Sequence, residues 1–208
     1  MSSDRDELER IAARTLAHYD ASAEAFWEGT RDHDVSQNVA ALLRHLPGAG
    51  PFAILDLGCG PGRDLATFAK LGHEAVGVDG SARFVAMARA HSGCEVWQQN
   101  LIALALPPAR FDAVFANAVL QHVPGLELAR VLGELRATLR AGGVLLSSIP
   151  HGNGEEGWNG SRYSVYHEPA AWHRQLTAAG FDELEHYYRP EGLPRDRQPW
   201  LASVWRKA

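Results

Sequence analysis

The sequence predicts an α/β fold with a mainly parallel sheet and helices on both of its faces. Between residues 53 and 149, short apolar segments alternate with longer amphipathic segments, which is typical of repeated strand–helix–strand units. The apolar segments are nearly continuous, as expected of strands that helices cover on both sides. Because the crossovers of such units are right-handed, their strands run parallel within one sheet.

The elements follow in order along the chain. An amphipathic helix is expected from about Asp4 to Trp27, and a second over 34–46, where Pro47 and Gly48 end it. The alternation then predicts strand 53–57, helix 62–71, strand 74–78, helix 81–91, strand 94–98, strand 111–116, helix 124–140 and strand 143–149. After a polar and aromatic segment at 150–167, we expect a helix at 168–179 and strands at 181–188 and 200–206, which can pair as an antiparallel hairpin.

Composition limits the function classes. A chain of 208 residues with 46% hydrophobic residues fits one globular domain. Its formal charge of −5 and pI near 6.0 argue against a dominant electrostatic grip on nucleic acid. Two cysteines, Cys59 and Cys94, favour a reducing compartment and have no metal-ligand spacing, so we expect no metal. The charged N-terminus and the lack of a long apolar run predict a cytoplasmic protein without a membrane span.

The most informative motif is the elbow that follows strand 53–57. Gly58, Gly60 and Gly62 stand at alternate positions before a helix, where a backbone turns sharply and a ligand can approach closely. Asp79 ends the next strand, where an acid can accept the hydroxyl pair of a ribose. Asp56, just before the elbow, would repel a pyrophosphate and favour a cationic sulfonium or amino group. A turn without a ligand and a dehydrogenase are the alternatives.

The segment ILDLGCGPGRDLATFAKLGHEAVGVDGS (54–81) resembles the first two motifs of the class I S-adenosylmethionine-dependent methyltransferases. The resemblance implies a Rossmann-like, seven-stranded sheet with one reversed strand. It also implies S-adenosylmethionine as cofactor and S-adenosylhomocysteine as product. We expect one domain over 1–208, with a helical lid (1–47), a cofactor-binding core (52–149) and a substrate-side part (150–208).

The resemblance further implies which residues contact the cofactor. Gly58 and Gly60 would lie against its methionine portion, and Asp79 would accept both ribose hydroxyls. Either Gln99 or Asn100 would accept the adenine amino group. The complete predicted set is Tyr19, Arg31, Asp56, Gly58, Gly60, Gly62, Asp79, Gln99, Asn100, Leu101, Asn117 and Ala118. Tyr19 would cover the methionine end and Arg31 would meet a carboxylate; a packed aromatic and a solvated arginine are the alternatives.

Methyl transfer from a sulfonium depends mainly on alignment and on the exclusion of water. A base is needed only where the nucleophile arrives protonated, and histidine suits that task. His122 follows the predicted strand 111–116 at the expected rim, so it is the first candidate, with a packing role as the alternative. His33 is the second, although acids on both sides favour its charged form and hence anion binding.

The segment 150–167 combines aromatic side chains with one guanidinium. This combination predicts a pocket for a small flat or amphiphilic molecule, with a carboxylate as one suitable group. The predicted acceptor-binding residues are Trp158, Arg162, Tyr163, Tyr166 and His167. An ordered lid whose aromatics pack on the sheet is the alternative.

The leading hypothesis is therefore a methyltransferase that acts on an O, N or S atom of a small molecule. The segment YDASAEAFWEGTRDHD (19–34) resembles the N-terminal layout of some tRNA wobble-uridine methyltransferases, which makes RNA methylation an alternative. However, the chain shows no Lys/Arg block, so a nucleic-acid partner is not expected. A non-catalytic cofactor-binding module is the third hypothesis. The sequence predicts neither the acceptor nor an oligomeric state.

Overall fold

A computed structural model describes residues 2–208 of the protein, with side chains from residue 4 onward. Its helices are α1 (Ser2–Ala21), α2 (Ala23–Thr30), α3 (Ser36–Arg44), α4 (Arg63–Lys70), α5 (Ala82–Ser92), α6 (Gly125–Thr138) and α7 (Pro169–Ala178). Its strands are β1 (Ala53–Leu57), β2 (Glu74–Asp79), β3 (Glu95–Gln98), β4 (Phe111–Asn117), β5 (Leu139–Pro150), β6 (Glu155–Asn159), β7 (Arg162–Tyr166), β8 (Phe181–Arg189) and β9 (Trp200–Lys207).

Seven strands form one sheet in the order β3-β2-β1-β4-β5-β9-β8. Strands β1 to β5 pair in parallel, and β9 lies antiparallel to both of its neighbours, β5 and β8. The predicted α/β fold, with a mostly parallel seven-stranded sheet and an antiparallel C-terminal hairpin, is confirmed. The chain moves outward from β1 to β3 and then returns to β4 beside β1. This reversal opens a crevice at the carboxyl ends of β1 and β4.

Helices cover both faces of the sheet and bury two apolar layers. One layer joins α3, α4 and α5 to the sheet, and in it the rings of Phe68 and Phe115 meet edge to face at 5.1 Å. The other layer joins α6 and α7 and includes the fully buried Trp172 and Trp205. Strand β1 is buried throughout, with Ile54 facing the first layer. Burial of one large aliphatic or phenylalanine side chain in these layers stabilises the fold by about 1.5–3 kcal/mol.

The structure corrects three predicted elements. The single helix expected from Asp4 to Trp27 is two helices, and the hydroxyl of Ser22 between them donates to the carbonyl of His18 at 2.8 Å. The helix expected over 124–140 ends at Thr138, because residues from Leu139 onward already pair with β4. The segment 150–167, expected to be a loop, forms the β6–β7 hairpin, a separate two-stranded sheet.

Helix α1 packs on β7 and on α5, so it lies over the crevice. Among residues 2–208, no helix has the length and apolar character that crossing a membrane requires. Within the same described residues, no three His, Cys, Asp or Glu side chains are grouped so that they could hold a metal ion.

Candidate functional site

The elbow between β1 and α4 is a tightly packed turn, and its outer two glycines are required by neighbouring protein atoms. Gly58 has φ +66°, and a Cβ there would lie 2.3 Å from Cγ2 of Val119. Gly62 has φ +94°, and a Cβ there would lie 2.8 Å from the Cα of Ala88. Gly62 therefore seats α4 against α5. It lines neither of the two cavities described below, and the cofactor contact predicted for it stays a prediction.

Every backbone N–H of the elbow already has an acceptor within the protein. The pairs are Gly58 with the carbonyl of Val78 (2.7 Å), Cys59 with the same carbonyl (3.1 Å), Gly60 with Oδ2 of Asp79 (2.9 Å) and Gly62 with the carbonyl of Cys59 (3.0 Å). A dinucleotide site needs free amides at this point to bind a pyrophosphate. The elbow offers none, which disfavours a dinucleotide.

Asp56 lies beneath the elbow and not on its ligand side. Its side chain is 2% exposed, lines neither of the two cavities described below and lies near the backbone N–H of Leu65 in the first turn of α4. Its Oδ2 is buried and has no hydrogen-bond partner in the described part of the chain. Burial, together with the nearby Asp64 carboxylate, raises the pKa of Asp56 well above its ordinary value. The structure places Asp56 under the first turn of α4, and its predicted role beside a cationic ligand stays a prediction.

A second acid near the elbow, Asp64, lines the crevice and was not among the residues predicted from the sequence. Arg63 holds it in a fork, with Nε–Oδ1 at 2.7 Å and Nη2–Oδ2 at 2.9 Å. Arg63 also donates to the carbonyl of Thr30 at 2.8 Å, and Asn117 donates to Oδ2 of Asp64 at 3.3 Å. This network fixes the end of α2 to the start of α4 and the end of β4. In the sequence, the signal for this pair is an arginine followed by an aspartate directly after the glycine elbow.

Asp79 stands at the end of β2 with its carboxylate in the crevice. Its Oδ2 accepts the N–H of Gly60 and its Oδ1 accepts the N–H of Ser81, both at 2.9 Å. Burial raises the pKa of Asp79 to about 6, against the effect of these backbone donors. Each oxygen keeps a further lone pair, so the carboxylate has the acceptor capacity that a pair of ribose hydroxyls requires.

The third strand end contributes Gln99, Asn100 and Leu101 to the same cavity. Gln99 is committed to the following loop, since its Oε1 accepts the N–H of Ala105 at 2.9 Å. Asn100 uses its Oδ1 to accept the N–H of Ile102 at 3.2 Å, and its amide nitrogen has no such commitment. Of the two residues predicted to bind the adenine, Asn100 is the one whose side chain has fewer hydrogen bonds to the rest of the protein.

Tyr19 of α1 meets His122 across the crevice. The Tyr19 hydroxyl lies 2.8 Å from Nε2 of His122, and Nδ1 of His122 lies 2.7 Å from the carbonyl of Tyr163. A carbonyl only accepts, so Nδ1 carries the proton and Nε2 accepts from Tyr19. Burial lowers the pKa of His122. Burial also raises the pKa of Tyr19, while the Arg162 guanidinium beside the phenol opposes that rise.

Two cavities meet beneath Tyr19. The first, the Asp79 cavity, has a volume of about 100 Å³ and is lined by Leu16, Asp79, Phe84, Asn100, Leu101 and His122 among others. The second, the Arg162 cavity, has a volume of about 560 Å³ and is lined by Trp27, His33, Arg63, Gln121, Arg162, Arg189 and Trp200 among others. The residues that line both are Tyr19, Phe26, Gly58, Gly60 and Ala118.

Several predicted residues lie away from both cavities. Arg31 pairs with Glu28 at 3.1 Å on the surface. Trp158 is 39% exposed and lies under the guanidinium of Arg14 at 4.1 Å. The buried ring of His167 packs on Trp172 with centroids 4.8 Å apart.

The tyrosines of the hairpin also turn away from the cavities. The hydroxyl of Tyr163 donates to Glu156 at 3.0 Å, and that of Tyr166 accepts from Asn159 at 2.7 Å. Of the five predicted acceptor-side residues, only Arg162 lines the second cavity. His33 and Asn117 line this cavity as well.

Comparisons with known proteins agree with this geometry. The family described as "Methyltransferase domain" matches residues 54–143. The chain is 35% identical over 140 residues to the trans-aconitate 2-methyltransferase of Azoarcus sp. (strain BH72), which covers 66% of this chain and 53% of that relative. The chain thus spans about half the length of this relative. It is 31% identical over 179 residues to the ubiquinone biosynthesis O-methyltransferase of Cereibacter sphaeroides (strain ATCC 17029 / ATH 2.4.9), covering 80% of this chain and 72% of that one.

A solved structure shares the fold. It is the Burkholderia thailandensis 1,6-didemethyltoxoflavin-N1-methyltransferase with bound 1,6-didemethyltoxoflavin and S-adenosylhomocysteine. Its TM-score is 0.80 at 23% identity, over 97% of this chain and 90% of that chain. At this identity the likeness concerns the fold alone.

Proposed function

This chain belongs to the class I S-adenosylmethionine-dependent methyltransferase family, and we propose that it transfers a methyl group from S-adenosylmethionine to an O, N or S atom of a small molecule. The observation that carries the proposal is the junction of the two cavities. One cavity presents a ribose acceptor, Asp79, and the other is several times larger. They meet at Tyr19 and Ala118, where a methyl group could pass from a molecule in one to a molecule in the other.

The residues of the Asp79 cavity fit the cofactor. Asp79 would accept the ribose hydroxyls, Asn100 and Leu101 would border the adenine, and Gly60 leaves room for the methionine portion, since a Cβ there would meet only Phe26, at 3.8 Å. When bound, the cofactor supplies an electrophilic methyl group on a sulfonium. The protein's contribution is alignment and the exclusion of water, to which the rings of Tyr19 and Phe26 contribute from the lid.

Where the acceptor arrives protonated, we propose that its proton leaves through Tyr19. Tyr19 lines both cavities, whereas His122 lines only the Asp79 cavity. The acceptor proton would pass to the Tyr19 oxygen as the Tyr19 proton moves to Nε2 of His122, 2.8 Å away. His122 can take it because its Nε2 holds a free lone pair in the neutral ring. His33 would act on the far wall as a ligand for an anion.

The remaining sequence predictions stay proposals. We propose one domain over 1–208, with residues 1–47 as the lid. A cytoplasmic location is proposed because Cys59 and Cys94 are free cysteines. A partner other than nucleic acid is proposed because the net charge is −5. The names of the relatives extend the proposal to two acceptor chemistries, a carboxylate as in trans-aconitate and an oxygen as in a ubiquinone precursor.

The test has two stages. Calorimetry first measures the binding of S-adenosylhomocysteine and of NAD to the full chain, and we expect only the former to bind. Cofactor with a labelled methyl group is then offered with panels of carboxylic acids, phenols, amines and thiols. Labelled product from one panel supports the proposal. A chain that binds neither form of the cofactor refutes it, and binding without transfer to any panel supports the non-catalytic module instead.

A further inference from the structure

We propose that the acceptor is a carboxylate-bearing molecule held between Arg162 and Arg189. This inference rests on the proposed function and names the substrate class of its larger cavity. Both guanidinium groups line the Arg162 cavity and neither lines the Asp79 cavity. A cavity of about 560 Å³ fits a small organic acid.

The cavity wall carries more arginines than acids. Three guanidinium groups and two carboxylates line the cavity, the third guanidinium being that of Arg63. Arg63 and Asp64 neutralise each other through their fork. The other acid, Asp34, is exposed and its Oδ1 accepts the N–H of Ser36 at 2.8 Å. Hydrogen bonds from Ser36 lower the pKa of the Asp34 carboxyl, and the Arg189 guanidinium is close enough to help lower it, with a smaller effect. Among the residues that the structure describes, neither Arg162 nor Arg189 forms an ion pair with a carboxylate.

Arg189 is anchored but incompletely bonded. Its Nη2 donates to the backbone carbonyl of Asp34 at 2.6 Å, which fixes the guanidinium between the end of β8 and the start of α3. Its Nε is buried and has no acceptor in the described part of the chain. A half-buried cation with a neutral partner and an unused donor is stabilised by an anion, and the planar fork of a guanidinium matches a carboxylate.

Arg162 places the charge near the reaction. It extends from β7 to the phenol of Tyr19, which lines both cavities. An acid bound to Arg162 would therefore lie beside the junction of the cavities. Gln121 adds an acceptor in the same wall, because its Oε1 is buried and has no partner. A hydroxyl or amino group on the acid could donate to it.

The experiment compares acids with their amides, which have nearly the same shape without the charge. Full-length protein saturated with S-adenosylhomocysteine is titrated by calorimetry with 4-hydroxybenzoate against 4-hydroxybenzamide, and with succinate against succinamide. We expect one acid or both to bind at least about tenfold more tightly than the matching amide. Arg162→Gln and Arg189→Gln should each abolish most of that preference. The matched control is Arg174→Gln, an exposed arginine on α7, which should retain it.

The outcomes separate this inference from the proposed function. A wild-type protein that fails to bind S-adenosylhomocysteine contradicts the proposed function. If it binds S-adenosylhomocysteine but binds acids no better than amides, or binds neither, only the carboxylate inference is overturned. If Arg162→Gln loses affinity for S-adenosylhomocysteine at an unchanged melting temperature, the guanidinium serves the cofactor's own carboxylate and the inference is wrong. Arg162→Lys and Arg189→Lys keep the positive charge and should retain part of the preference for acids. They provide a second test if a glutamine variant fails to fold.

Discussion

Asp79→Asn is the sharpest perturbation of the proposed cofactor site. The wild-type carboxylate accepts two backbone N–H groups at 2.9 Å and keeps lone pairs for two ribose hydroxyls. Asparagine has one acceptor oxygen, so at least one hydrogen bond from the ribose to a charged group is lost. Such a bond contributes about 1.5–3 kcal/mol, so S-adenosylhomocysteine should bind about 10- to 100-fold more weakly.

The pKa of Asp79 adds a pH signature to this prediction. Burial raises it from the ordinary 3.8 to about 6, so the folded chain binds a proton here between about pH 4 and pH 6 that the unfolded chain does not. Folding stability from this group is therefore present at low pH and declines by on the order of 3 kcal/mol as the pH rises through that window. Cofactor affinity has the opposite trend, because the charged acceptor exists only above about pH 6.

The assay is calorimetric titration with S-adenosylhomocysteine at pH values above and below the pKa of Asp79, with melting temperatures measured in parallel. Wild-type affinity should fall on acidification, and Asp79→Asn should bind weakly at both pH values. Adenosine and 2′-deoxyadenosine give a second readout, since only wild type should distinguish them. Asp182→Asn, on the exposed side of β8, is the matched control. Wild-type affinity in Asp79→Asn, or an undiminished preference for adenosine, would refute the ribose role of Asp79.

Two further predictions test the elbow and the lid. Gly58→Ala should destabilise the fold by about 2–4 kcal/mol in urea unfolding, because its Cβ would overlap Val119 at a positive φ. The control Gly133→Ala in α6, whose Cβ meets open space, should stabilise the fold by up to about 1 kcal/mol. Equal effects of the two substitutions would contradict the packing argument. Tyr19→Phe and His122→Phe should each slow methyl transfer, and the double variant should be no slower than the slower single variant. In a double-mutant cycle of folding stability, the 2.8 Å hydrogen bond should give a coupling of about 1 kcal/mol. Additive losses of rate would mean that the two residues do not act together.

The fold was predictable, and residues of the Asp79 cavity could be proposed from the sequence, because their determinants are local. A buried strand, a glycine elbow and an acid at the next strand end are each written in a few consecutive residues. Parallel pairing then brings Asp79, Asn100 and Asn117 to one edge of the sheet. The strand order is therefore sufficient to predict that these three residues lie close together.

The side-chain placements that the sequence did not predict depend on contacts between distant parts of the chain. Asp56 resembles an exposed cofactor ligand in sequence, but α4 lies over it and leaves it 2% exposed. His167 was grouped with the hairpin aromatics, although its ring packs against α7. Arg189 was not among the predicted site residues, since its position depends on a carbonyl 155 residues away in sequence. Side-chain direction in an irregular segment is set by its tertiary neighbours, which a single sequence does not display.

The same division separates what relatives can tell about the two cavities. The matched family region, residues 54–143, contains most of the residues that line the Asp79 cavity, with Asp79, Asn100 and His122 among them. The larger cavity also draws on segments outside that region, around residues 27–35, 162 and 189–200. Family membership therefore supports the methyl donor. The acceptor has to be argued from Arg162 and Arg189, which form no ion pair with a carboxylate among the residues that the structure describes.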